Sequence, residues 1–272
     1  MTSSASAAGR APRRSLARRP WRAWVTASAG LGATVLALAL LSGRWSFVAA
    51  MAVAMLLIAV GWVLLLGLPS PRGTTAVLAG AGVILLGSSV LSQELRESLL
   101  PGAVALAMIV EFIHQLARRD GRPRLVESVS ASITGIALLT SGASVLLLAE
   151  SPEGVAGGVV VFGAVALASL ADLGLRYGSG GPISGVVALI LGAVGAGVLG
   201  AAFGIALPVW FVAAAGALAG GSSYALRQAQ SVLPTLFGRR AQLASGVASV
   251  LATGVLAYAL TWLTPGWPHG LS

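Results

Sequence analysis

Nine apolar runs follow one another along this chain, separated by short polar segments. They fall at about 24–41, 47–68, 75–91, 99–116, 129–148, 155–175, 183–199, 204–226 and 243–263. A helix needs roughly 20 apolar residues to cross a bilayer, within a range of about 17–25. Lipid offers the backbone no hydrogen bonds, so each span must satisfy its own N–H and C=O groups. The expected fold is therefore all-α, a polytopic transmembrane helical bundle of about nine spans. Composition agrees: 57% of the 272 residues are hydrophobic and 9% charged, against about 25% charged in a soluble domain. Residues 1–23 read as a disordered basic cytoplasmic tail, 24–263 as a single transmembrane domain and 264–272 as a short external tail. The third and seventh runs are the shortest, and only Gly200-Ala-Ala-Phe-Gly204 separates the seventh from the eighth.

The arginines give the expected orientation. All 17 basic residues are arginine. With the N-terminus in the cytoplasm, the tail and inner loops hold Arg10, Arg13, Arg14, Arg18, Arg19, Arg22, Arg72, Arg118, Arg119, Arg122, Arg124, Arg176, Arg227, Arg239 and Arg240. The outer loops hold only Arg44 and Arg96, together with Glu94, Glu97, Glu150 and Glu153. Basic residues in short loops stay cytoplasmic, so the N-terminus is expected inside and the C-terminus outside. Merging runs seven and eight would move Arg239 and Arg240 outside, which favours nine spans. Trp21 and Trp24 fall at the inner interface and Trp45, Trp262 and Trp267 at the outer one, as an aromatic belt requires. The formal charge of +9 is then a topology signal. It points to the lipid bilayer as partner and not to nucleic acid. The pair Arg13-Arg14 matches a twin-arginine export signal, but further arginines, Pro20 and many later spans favour a plain tail. Cysteine is absent, which excludes disulfides and thiolate chemistry. Arginine without lysine, with 36 glycines, points to a high-GC bacterial genome.

The first four helix pairs read as out-and-back hairpins, and Val77–Arg122 aligns with Thr134–Ser179. In both, an acid follows near the inner end of the returning helix, Glu111 or Asp172. The ninth helix lies outside this repeat. The small-residue pairs Gly154/Gly158, Gly200/Gly204 and Gly216/Gly220 are expected to form packing seams within the bundle.

Ionisable groups inside a membrane are costly, and each is a functional candidate. Glu111, His114 and Arg118 share one face of the fourth helix, at i, i+3 and i+7. Asp172 and Arg176, at i and i+4, can pair in the sixth. Glu127 opens the fifth just after the arginine-rich loop, and Ser222, Ser223 and Tyr224 precede Arg227 in the eighth. Together they predict a polar vestibule in the cytoplasmic third, working as a gate or proton-linked site. An imidazole ordinarily changes charge near neutral pH, so His114 could exchange a proton with Glu111. The competing reading has these groups pair with snorkelling arginines and orient helix ends. Pro208, expected inside the eighth helix, is a candidate hinge. Glu111-Phe-Ile-His114 has the Glu-x-x-His spacing of di-iron bundles, but the other histidine, His269, falls in the tail. Ser184 lies in Gly-Pro-Ile-Ser-Gly, not the rhomboid-type Gly-x-Ser-Gly element, and no P-loop is present. No metal and no cofactor are expected.

In span number, arginine bias and the segment Glu111-Phe-Ile-His-Gln-Leu-Ala-Arg-Arg-Asp-Gly-Arg-Pro-Arg124, the chain resembles the uncharacterised permease-like integral membrane proteins of high-GC Gram-positive bacteria. The resemblance implies a multi-pass protein of the cytoplasmic membrane and carries over no activity or site residue. The first functional expectation is a permease or transporter component for a small solute. The alternatives are a scaffold with protein partners in the membrane, or an enzyme acting on a lipid-linked substrate through Glu111, His114 and Glu127.

Overall fold

A computed structural model describes residues 22–91, 93–119, 121, 123–176 and 182–263. The expected tails, Asp120, Arg122, Trp21, Trp267 and His269 lie outside the described residues, as do the side chains of Glu94, Arg96, Glu97 and Arg176. Among the described residues the fold is entirely helical. The spans are α1 (Ala23–Leu41), α2 (Arg44–Leu66), α3 (Pro71–Gly87), α4 (Gln93–Ala117) and α5 (Leu125–Ser144). They continue as α6 (Pro152–Ala168), α7 (Pro182–Ala202), α8 (Val209–Gln230) and α9 (Arg239–Trp262). Counted with the helical turns that continue α3 to Val90, α5 to Leu147 and α6 to Leu175, each is long and apolar enough to cross a bilayer. The chain is a multi-pass integral membrane protein.

Local chemistry sets the boundaries. Pro71, Pro152 and Pro182 each open a helix at its first turn, where a missing N–H costs nothing. Ser151 caps α6 by accepting from the Gly154 N–H at 3.0 Å. α2 ends at Gly67, whose φ of 58° is the left-handed region that glycine enters freely. Gly43, at φ 112°, allows the sharp turn from α1 into α2. Spans seven and eight are separate helices, divided by residues 203–208. α8 starts later than expected, at Val209, and Pro208 is the residue before its first turn. A proline there breaks no helical hydrogen bond, so the reason for a hinge at Pro208 does not apply.

The core runs through α6 and α9. In α6, 72% of the apolar window is buried, and in α4 only 17%. Val160, Val161, Phe162, Ala164 and Val165 of α6 are fully enclosed. α6 packs against α1, α7, α8 and the second half of α9, Gly254–Trp262. The first half of α9, Arg239–Leu251, packs against α1 and α2 and also touches α5 and α8. α4 turns Leu106, Ile109, Phe112, Ile113 and Leu116 outward, as a helix facing lipid does. The ninth helix, outside the repeat, is thus a central one. α1 with α2, α3 with α4 and α7 with α8 pack as hairpins, whereas α5 and α6 scarcely touch, because the second half of α9 packs on both.

Small residues set the closest approaches. On the α7–α8 seam, a Cβ on Gly216 would lie 2.2 Å from Ala196 Cβ and 2.3 Å from the Gly192 carbonyl oxygen. Gly220 meets Ala188 and Gly192 in the same seam. The other two pairs behave differently. Gly158 packs on Leu40 and Gly200 on Val212, but Gly154 abuts its own preceding turn and Gly204 lies in a loop at φ 64°.

The helix ends sort into two groups. At one, Arg239 stacks over Trp24 at 5.5 Å, Arg22 over Phe237 at 5.0 Å, and Arg124 donates to the Gly67 carbonyl at 2.9 Å. At the other, Arg44 pairs with Glu150 at 2.8 Å. This second pair is about 30% exposed, and exposed pairs contribute roughly 0–1 kcal/mol. Glu150→Gln is therefore expected to lower stability by less than about 1 kcal/mol, read as a small fall in the thermal unfolding midpoint in detergent.

Candidate functional site

The polar residues form two networks on different sets of helices. The first centres on Asp172. α6 tightens after Ala168 into a 3-10 turn, Ser169–Asp172, followed by the short helical turn Leu173–Arg176. Gly30 of α1 permits the close approach there, since a Cβ on it would lie 2.7 Å from Ser169 Oγ. Asp172 is brought against α1 and α8. Arg227 Nε donates to Asp172 Oδ2 at 2.9 Å and Nη2 to Oδ1 at 3.2 Å, the two-pronged geometry that suits guanidinium and carboxylate. Thr26 Oγ1 donates to Oδ2 at 3.2 Å. Arg227 Nη1 reaches Ser223 Oγ at 2.7 Å and Ser249 Oγ at 3.3 Å. Ser223 in turn donates to Ser249, which donates to the Gly246 carbonyl. The pair is almost wholly buried, at 2% and 4% side-chain exposure. A cavity beside it, lined by Arg22, Val25, Thr26, Leu175 and Leu236 among others, has about 20 Å³ of free space, room for about one water. This network joins α1, α6, α8 and α9, and both carboxylate oxygens are satisfied.

The second network lies between α3, α4 and α5. Glu111 is fully buried. Its Oε1 accepts from Gln115 Nε2 at 2.6 Å, and Gln115 Oε1 accepts from Arg118 Nη1 at 2.9 Å. Arg118 also reaches Ser128 Oγ of α5 at 3.5 Å. Glu111 and Arg118 are thus linked through Gln115. Glu111 Oε2 has no hydrogen-bond partner among the described residues, and the same is true of His114 Nε2 and Thr74 Oγ1. His114 lies close against the start of α3: a Cβ on Gly73 would fall 1.9 Å from its Cε1. Thr74 follows directly. Three buried polar atoms without partners thus occur on one pair of antiparallel helices.

The expected single vestibule is therefore two sites. Asp172 pairs with Arg227, an arginine two spans away; the side chain of Arg176, expected as its partner, lies outside the described residues. Glu127 does not join Glu111 and His114. It is exposed and pairs with Arg124 at 2.5 Å. The sequence reading missed Gln115, Thr74, Thr26 and Ser249 because none is ionisable. Only the Gln115 spacing, one turn after Glu111 and one turn before Arg118, was there to be found.

No protein family, curated protein or solved structure matches the chain.

Proposed function

We propose that the protein is a permease, or the membrane component of one, that moves a small solute across the cytoplasmic membrane, with Glu111 as its proton-linked site. The arginine-rich end faces the cytoplasm in this reading, following the bias in short loops. The supporting observation is the contrast between the two buried acids. Asp172 is saturated by a bidentate arginine and a hydroxyl, which is how a fixed structural charge is held. Glu111 keeps one oxygen bare, and His114 Nε2 one turn further along α4 and Thr74 Oγ1 on the packed helix α3 are equally bare. A buried polar atom without a partner costs about 1–3 kcal/mol. A site that carries three of them is built for a partner that comes and goes, such as a proton, a water or the solute. Its surroundings suit movement. α4 is the least buried span and carries Pro101 in its interior, so it shifts against lipid at low cost.

A non-transporting scaffold is the second reading, and the tied Asp172–Arg227 network favours it. The two readings part at Glu111. In proteoliposomes holding a pH-sensitive dye, a panel of amino acids, sugars and inorganic ions is added in turn. The permease reading expects one class to drive internal acidification through the wild type. It expects Glu111→Gln, equally folded by its unfolding midpoint, to lose at least about a hundredfold in rate, the scale of a lost proton-transfer group. An unchanged rate in Glu111→Gln removes the proton site, and no response to any solute favours the scaffold.

A further inference from the structure

At the arginine-rich end, α2, α3 and α9 surround an open groove of about 330 Å³. Val60 and Leu64 of α2 and Pro71 of α3 give it an apolar wall, while Arg72, Thr75 and Arg240 supply its polar groups. Val60 and Leu64 are 39% and 42% exposed, so the wall is open to lipid. Arg72 and Arg240 come from different helices, and among the described residues neither carries an ion pair. Both sit in the first turn of their helices, and neither helix has an acid or a side-chain cap there. A helix start already carries partial positive charge, so two guanidinium groups at two such starts make a positive field that no described ion pair answers. The arrangement is held firmly. A Cβ on Gly61 would lie 3.0 Å from the Arg240 carbonyl oxygen and 2.5 Å from Ala244 Cβ, so α9 begins in direct contact with α2.

We propose that this groove is a binding site for one anionic glycerophospholipid. The phosphate lies between Arg72 and Arg240, where guanidinium forks match its oxygens. The Thr75 hydroxyl completes the headgroup contact, and an acyl chain runs along Val60 and Leu64. The apolar wall selects a lipid over a soluble anion, because a free phosphate leaves the wall bare. The paired charges select an anionic lipid over a zwitterionic one, because among the described residues neither arginine has a carboxylate partner.

The test is native mass spectrometry of the full chain released from mixed phosphatidylglycerol and phosphatidylcholine nanodiscs. The wild type is expected to retain one phosphatidylglycerol above the background of both lipids. Each surface arginine contributes about fivefold to binding an anionic lipid, so Arg72→Gln with Arg240→Gln should weaken retention about thirtyfold. Arg119→Gln, which removes one charge from an exposed position outside the groove, should leave it intact. A second measurement covers poor folding of the double variant: phosphatidylglycerol should raise the wild-type unfolding midpoint more than phosphatidylcholine does. Equal retention of the two lipids, equal loss in Arg119→Gln, or an equal shift of the midpoint by inorganic phosphate alone would each overturn the proposal.

Discussion

Arg227→Met is expected to destabilise the protein by about 3–5 kcal/mol, the range for removing one partner of a buried ion pair. The side chain is 2% exposed, so the substitution leaves the Asp172 charge buried. It leaves Asp172 with Thr26 as its one remaining donor among the described residues and frees the hydroxyls of Ser223 and Ser249 from Arg227. The measurement is the unfolding midpoint in detergent, with yield as a second readout. The cause is separable from lost packing. Replacing both partners of a buried pair with apolar residues of similar volume is often neutral, so Asp172→Leu combined with Arg227→Met should recover much of the loss. A single variant as stable as the wild type would show that the pair holds nothing together. Glu111→Gln gives the internal comparison. Its carboxylate is half satisfied, and its expected cost is less than about 1 kcal/mol, because the amide can still accept from Gln115 and the bare oxygen loses nothing.

Gly216→Leu is the second large effect, with an expected loss of about 1–3 kcal/mol and more if the helices cannot part. The obstruction is backbone and not a side chain that can swing away: the Gly192 carbonyl oxygen lies 2.3 Å from where a Cβ would be. Helix association in lipid depends on such close contact, since no hydrophobic force drives one apolar helix onto another. Gly80→Ala is the control. Nothing lies within 4 Å of a Cβ there, and alanine is favoured over glycine in a helix by roughly 0.5–1 kcal/mol. The unfolding midpoint should therefore fall for Gly216→Leu and hold or rise for Gly80→Ala. A midpoint unchanged in both would mean that α7 and α8 are not packed through Gly192 and Gly216.

What could be read from sequence was what is local. Span number and approximate limits follow from the length of apolar runs, and the observed helices agree with them to within a few residues except at the start of α4 and α8, once the turns that continue α6 to Leu175 are counted with it. α4 begins at Gln93, ahead of its apolar run, because a helix can continue through polar residues beyond the hydrocarbon. α8 begins late because Pro208 resists a place inside it. Neighbour relations were not legible. α1 and α2 are apolar on every side, so no stripe marks which face meets protein and which meets lipid. That ambiguity hid the central place of α9, and with it the partner of Asp172. Arg227 was visible as a basic residue after two serines, but its pairing with an acid 55 positions away depends on how α6 and α8 are arranged. Glu111 was legible as a buried acid. That one of its oxygens lacks a partner, like Thr74 on α3, was not.

The position of α9 also bears on how the chain is made. Spans enter the membrane in order of synthesis, and the helix that packs against α1, α2, α5, α6 and α8 enters after all of them. Until it arrives, Arg227 lacks Ser249 and α5 and α6 lack the segment that fills the space between them. The nascent bundle therefore waits with an open middle and a partly satisfied charge pair within the bilayer. A ribosome that stops short of α9 does not release a smaller version of the protein. It releases a bundle with an open middle, in which Arg227 lacks the Ser249 hydroxyl.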